Sequence, residues 1–320
     1  MTFRQTCILA LVSALLIGGC NRGEPGSDAR PRIALVLKTL NNPFFIDMQR
    51  GAEDAAKRLN VDLVVQAAER ETDVDKQMQI IENLIQARVG ALAVTPSGSR
   101  EVVPAIGKAN EANIPVVIVD TRLDGKAASD AAIRTVSFVG SDNYRGGQLI
   151  GEHLVKASAG KAKVAILEGI PGHDTGDQRV RGFREAVKAT PAVEIVASQT
   201  ANWERDQGFT VFQNMLQANP TIDTVFACND MMALGAIEAI AAAGKTGQIR
   251  VLGFDAVEDA RKAIVAGTME ATVAQFPGEM GRVAVEAALK AIKGETVAPE
   301  TSVRIGLVTK ENVTTAGETE

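Results

Sequence analysis

At 320 residues the chain is long enough for two domains, and its 34 Lys and Arg against 39 Asp and Glu leave a mildly acidic charge of −5 spread along its length. No Lys/Arg-rich run is present, which argues against nucleic acid as a partner. No apolar stretch after the N-terminal region is long enough for a transmembrane helix.

The first residues read as an export signal rather than as part of the fold. Arg4 supplies a short positive region, and an apolar run over 8–17, broken only by Ser13, has the length of a signal-peptide core. Ile17-Gly18-Gly19-Cys20 resembles a bacterial lipobox, which implies a signal peptide over 1–19 and lipid on Cys20 as the mature N-terminus. Residues 20–31, rich in Gly, Pro and polar side chains, are expected to form the tether. Cys7 leaves with the signal and Cys20 is acylated, so Cys228 has no cysteine partner and the fold relies on its core.

The alternation of the fold begins at residues 33–45, IALVLKTLNNPFF. A near-continuous apolar run suits a strand buried on both faces. Asn42-Pro43 then supplies a preferred helix cap and a proline suited to the first helical position. The helix runs over 43–59, followed by a strand at 61–65. Val74, Met78, Ile81 and Ile85 recur at helical spacing. A strand at 91–94, a helix over 100–111 and strands at 115–119 and 136–139 follow. His153 falls within a helix. Next come a strand at 164–167, a helix over 179–188, a strand at 193–197, a helix over 206–216 and a strand at 224–227. A helix over 230–242, a strand at 249–253, a helix over 256–266, a short strand at 272–274 and a long helix over 277–292 complete the alternation. One strand, 302–308, closes the chain. Repeated βα units of this number predict an α/β protein with two doubly wound parallel-sheet lobes.

Strand after strand is apolar and then ends in a polar residue: Asn42, Thr95, Asp120, Ser141, Asn229, Asp255 and Gln275. Parallel strands direct these ends to one edge of each sheet, where open α/β sheets bind ligands. Asn, Asp, Ser and Thr also cap helices, so each residue taken singly has a local explanation. Gln275 does not, because Gln is a poor cap. Hydroxyls both donate and accept, so carboxylates and amides gathered in this way suit a polyhydroxylated ligand. Phe44, Phe45 and Trp203, in a chain with few aromatics, offer flat surfaces for its C–H faces.

Thr39-Leu40-Asn41-Asn42-Pro43-Phe44-Phe45 resembles the opening motif of the ribose-type sugar-binding proteins that serve bacterial ABC importers. Phe226-Ala227, Asn229-Asp230, 232–236 (MALGA), Gly253-Phe254-Asp255 and Ala274-Gln275 match the same family, and the likeness runs over 32–309. The resemblance implies Asn42, Phe44, Phe45, Asp120, Ser141, Arg179, Trp203, Asn229, Asp255 and Gln275 as sugar contacts. The sequence departs from the family pattern at Thr95, at Asp120-Thr121-Arg122, at Trp203 and at His173. Thr95, Thr121 or Arg122, and His173 therefore join the expected site, and the identity of the sugar stays open.

The resemblance further implies three chain crossings between the lobes, near Ser141, Gln275 and Ile305. Residues 32–141 with 276–304 would form the N-terminal lobe, 142–275 with 305–314 the C-terminal lobe, and 315–320 a tail. A dinucleotide-binding enzyme would show G-x-G-x-x-G after the first strand, where this chain has Thr39-Leu40-Asn41-Asn42-Pro43. A hydrolase would show G-x-S-x-G, which is absent. His173, Asp174 and Asp177 are read as a polar loop rather than a metal site. No enzyme activity, cofactor or metal is expected. The expected role is capture of a monosaccharide in the envelope or periplasm by a monomer. An ABC permease with its ATPase, or alternatively a membrane sensor, would receive the bound form. The lipobox predicts that Cys20→Ser moves the protein to the soluble fraction. An unmodified Cys20 in the mature native protein, seen by mass spectrometry, would contradict the anchor.

Overall fold

The computed structural model describes residues 30–315. The expected signal peptide with Cys7, Cys20, most of the expected tether and all but one residue of the expected C-terminal tail lie outside that range. Among the described residues no helix is long and apolar enough to cross a membrane.

The first lobe opens with β1 (Arg32–Thr39), α1 (Pro43–Leu59), β2 (Asp62–Ala68), α2 (Val74–Gln86) and β3 (Ala91–Val94). It continues with α3 (Val103–Glu111), β4 (Val116–Val119), α4 (Gly125–Asp130) and β5 (Ser137–Ser141). The second lobe holds α5 (Asn143–Ala157), β6 (Ala162–Glu168), α6 (Asp174–Val187), β7 (Val193–Thr200) and α7 (Arg205–Ala218). It goes on through β8 (Thr224–Ala227), α8 (Asp230–Ala242), β9 (Arg250–Asp255), α9 (Glu258–Ala266) and β10 (Ala271–Ala274). The chain then returns to the first lobe for α10 (Pro277–Ile292) and β11 (Glu300–Val303), and ends with β12 (Gly306–Thr309) in the second.

Each lobe is a six-stranded sheet, ordered β2-β1-β3-β4-β5-β11 in one and β7-β6-β8-β9-β10-β12 in the other. The two orders are the same winding pattern used twice. Each sheet has its topological switch point beside its first strand, between β1 and β3 or β6 and β8, where ligands bind in open α/β sheets. The central strands are buried on both faces, as their apolar runs require.

The structure departs from the sequence reading at several boundaries. The single closing strand is two: β11 pairs parallel with β5, β12 pairs antiparallel with β10, and Arg304-Ile305 carries the chain from one sheet to the other. The second sheet is thus not wholly parallel. Helix α6 starts at Asp174, with Asp174 and Asp177 in a first turn that favours acids. Helix α9 starts at Glu258 because Asp255 and Ala256 have φ of 119° and 57°, outside helical backbone.

Neighbouring helices approach through glycine. A Cβ on Gly281 of α10 would lie 2.0 Å from the carbonyl oxygen of Met48 in α1, and one on Gly182 of α6 would lie 2.0 Å from that of Tyr144 in α5. The obstacle is backbone, so the helices would have to separate. Gly281→Ala is expected to destabilise the protein by about 1–3 kcal/mol through overpacking. An unchanged denaturation midpoint would show that α1 and α10 can yield without loss.

Candidate functional site

The site begins where β1 meets α1. Asn42 caps the helix, its Oδ1 accepting from Phe44 N at 3.1 Å, while its Nδ2 donates to Glu71 Oε1 at 3.1 Å. Phe44 and Phe45 meet edge to face, with centroids 5.2 Å apart. Lys38, near the end of β1, is buried with its Nζ 3.6 Å from Glu71 Oε2 and 3.4 Å from Asp120 Oδ2. Burial raises the Glu71 carboxyl above its ordinary range, and the Lys38 ammonium opposes that rise. Asp120 follows β4 with φ of 63°. A non-glycine residue held there costs on the order of 1–3 kcal/mol, and such outliers cluster at functional sites.

The second lobe supplies the facing wall. Arg179 is only 3% exposed. Its Nε donates to Asn143 Oδ1 at 2.9 Å, its Nη1 donates to the Cys228 carbonyl at 2.6 Å, and Nη1 lies 3.6 Å from Asp255 Oδ1. The guanidinium also stacks on Phe254, 3.7 Å from the ring centroid. Asp255 accepts from Gln275 Nε2 at 2.7 Å. Burial raises the Asp255 carboxyl well above its usual range, against the pull of Arg179. The other end of the Gln275 amide, Oε1, is buried with no hydrogen-bond partner. Asn229 caps α8 through Met232 N at 2.9 Å and donates from Nδ2 to the Trp203 carbonyl at 3.1 Å.

These side chains line a cavity between the lobes. Asn42, Phe44, Phe45 and Asp120 line it from the first lobe, and Arg179, Trp203, Asn229 and Asp255 from the second. Gln275, on the crossing after β10, completes the wall. Lys38, Glu71 and Thr175 line it too and escaped the sequence reading. A lone lysine in an otherwise apolar strand was a legible signal for Lys38. Glu71 sits in a polar loop after β2, and nothing local distinguishes it.

The remaining candidates lie around the cavity rather than on its wall. Thr95 is fully buried, its hydroxyl donating to the Val36 carbonyl at 3.2 Å. The Thr121 hydroxyl donates to Asp120 Oδ2 and meets the Thr175 hydroxyl of the other lobe, both at 2.9 Å. Arg122 faces outward, pairs with Glu300 at 2.5 Å and stacks on Phe138. Ser141 sits on the first crossing with an unpartnered, buried hydroxyl, beside a separate cavity that also holds Arg122 and Glu300. His173 stands behind Trp203, its Nδ1 accepting from the indole Nε1 at 3.3 Å. Among the described residues no cluster suited to a metal ion is found.

His173 is neutral: burial, with the nearby Lys38 charge adding to it, depresses its pKa to about 3. The unfolded histidine titrates near 6.5. Between those values the unfolded chain binds a proton that the folded chain refuses, so the stability that depends on neutral His173 is full above pH 6.5 and falls as the pH drops towards 3. His173→Gln removes this term and leaves Glu71 and Asp255 in place. The stability of the wild type relative to the variant is expected to fall by about 1.4 kcal/mol per unit below pH 6.5. Parallel curves from denaturant titrations would contradict the assignment.

Comparison with known proteins agrees with this architecture. A family model described as a periplasmic binding protein domain matches residues 33–296. The ribose import binding protein of Escherichia coli is 38% identical over 88% of this chain and 92% of its own length. The D-allose-binding periplasmic protein of the same organism is 37% identical over 85% and 88%. An ABC transporter periplasmic solute-binding protein from Actinobacillus succinogenes, solved with bound D-allose, superposes with a TM-score of 0.83 at 42% identity, over 89% of this chain and 99% of that one. A Caulobacter myo-inositol binding protein does so with a TM-score of 0.83 at 32% identity, over 91% and 97%. These relatives are solute-binding proteins rather than enzymes, and the chain belongs with them to the ribose-type periplasmic binding proteins.

Proposed function

We propose that this protein captures one monosaccharide (a pentose, a hexose or a related polyol) between its lobes and delivers it to an ABC importer permease. The observation that carries the reading is the buried, unpartnered Gln275 Oε1 beside Asp255 in a cavity walled by both lobes. An acceptor buried without a donor costs about 1–3 kcal/mol, which a ligand hydroxyl would recover. The other hydroxyls of the ligand would find acceptors in Asp120 and Asp255 and donors in Arg179, Lys38 and the amides. The relatives whose names mention ribose, allose, apiose or myo-inositol point to the same class.

In this reading Asn42, Asp120, Arg179, Asn229, Asp255 and Gln275 bind hydroxyls, and Phe44, Phe45 and Trp203 cover the ring. Thr95, Thr121 and His173 support that wall from behind, and Arg122 and Ser141 act at its hinge side. The lobes, 32–141 with 276–304 and 142–275 with 305–314, close about the three crossings because the ligand touches both at once. The permease, with its ATPase, then receives the closed form in the envelope, where lipid on Cys20 holds the protein.

A thermal-shift screen against pentoses, hexoses and polyols is the first test, with stabilisation expected from one or a few of them. For the best ligand, Asp255→Ala is expected to lose about 2–5 kcal/mol of affinity by calorimetry. A panel without any stabilising sugar would refute the ligand class. Wild-type affinity in Asp255→Ala would reduce that carboxylate to a structural role.

A further inference from the structure

Asp230 follows Asn229 at the start of α8, is fully buried and does not line the cavity. The two neighbours face different partners. Asn229 holds the Trp203 carbonyl, whereas Asp230 reaches across to the loop after β9. Its Oδ2 accepts from Val257 N at 2.9 Å, and its Oδ1 accepts from the Thr272 hydroxyl at 2.7 Å. That hydroxyl in turn accepts from Ala256 N at 3.3 Å. The carboxylate fits against a bare backbone: a Cβ on Gly253 would come within 2.2 Å of Oδ1.

The loop held in this way is the strained one. Asp255 and Ala256 have φ of 119° and 57°, positions that non-glycine residues leave unless the surroundings hold them. Backbone hydrogen bonds from Ala256 and Val257 end, directly or through Thr272, on Asp230. We infer that Asp230 is a positioning residue for ligand binding: it holds the 254–257 turn in the conformation that presents the Asp255 carboxylate to Gln275, Arg179 and the cavity. The inference rests on the proposed sugar site for its consequence and on the loop alone for its mechanism. Asp230→Asn keeps the shape and one acceptor but faces one of the two donors with an NH2 group. Thr272→Val removes the relay and leaves the carboxylate in place.

Two measurements separate this inference from the choice of ligand. The first needs no ligand. Amide hydrogen exchange over 254–257 is expected to speed up at least tenfold in Asp230→Asn and less in Thr272→Val, with the strands of the first lobe unchanged. Equal protection in both variants would overturn the inference. The second is calorimetry with the tightest wild-type ligand among D-ribose, D-allose and myo-inositol. Asp230→Asn is expected to raise Kd about tenfold or more, and to have no further effect in an Asp255→Ala background, because it acts through that carboxylate. Unchanged Kd with a lowered Tm, or losses that simply add in the double variant, would make Asp230 a structural residue only. If Asp230→Asn does not fold, the same two readings on Thr272→Val decide. If the wild type binds none of the three sugars, the ligand class is in question and the exchange experiment still decides the role of Asp230.

Discussion

The binding face of the second lobe depends on the Arg179 guanidinium. Its donors fasten Asn143 at the start of α5, the Cys228 carbonyl just after β8 and the Asp255 carboxylate at the end of β9, while Phe254 covers its flat face. A planar group with five fixed donors can tie a helix start and two strand ends together at once, which a lysine ammonium cannot do with the same geometry. Removing one partner of a buried ionic set is strongly destabilising, on the order of 3–5 kcal/mol, because the remaining charges stay buried and unpaired. Lys38 has the corresponding place in the first lobe, between Glu71 and Asp120. Each lobe thus brings one buried cation and its carboxylates to the cavity.

In the proposed function, this arrangement would let a rigid fold bind by moving. Each wall is held within its own lobe by a charge set and a helix cap, so each is preformed. The contacts between walls include the Thr121 and Thr175 hydroxyls, the Asp174 N–H to the Ser99 hydroxyl, His173 with the Ser97 backbone, Glu204 with the Glu71 backbone, and the exposed pair of Arg70 with Asp206. Exposed ion pairs contribute little. In the proposed function, the balance between open and closed forms is left for a ligand to set through its own contacts to both walls. Gln275 stands on a crossing with one unmet acceptor, so in the proposed function the hinge and the ligand would meet at a single side chain.

Much of this was legible in the sequence because parallel sheets write their order plainly. Apolar runs ending in polar residues marked β1, β3, β4, β8 and β9, and all of those ends except Thr95 after β3 converge on one cavity. Three features were hidden in whole or in part. Helix α5 is legible only as the helix around His153, without bounds, and its Gly146, Gly147 and Gly151 serve close packing: a Cβ on Gly147 would lie 2.1 Å from the Arg179 carbonyl oxygen. The break between β11 and β12 has only Gly306 beside it, and it is set by which sheet each half joins. Glu71, Thr175 and the outward turn of Arg122 follow from tertiary contacts that no local pattern encodes.

The central claim is that a sugar hydroxyl completes the Gln275–Asp255 pair between closed lobes. A crystal structure of the protein with its tightest-binding monosaccharide tests it most directly. The account predicts one sugar in the cavity, with a hydroxyl donating to Gln275 Oε1 and ring faces against Phe44, Phe45 or Trp203. A sugar bound elsewhere, or a bound sugar that leaves Gln275 Oε1 without a hydroxyl donor, would contradict it.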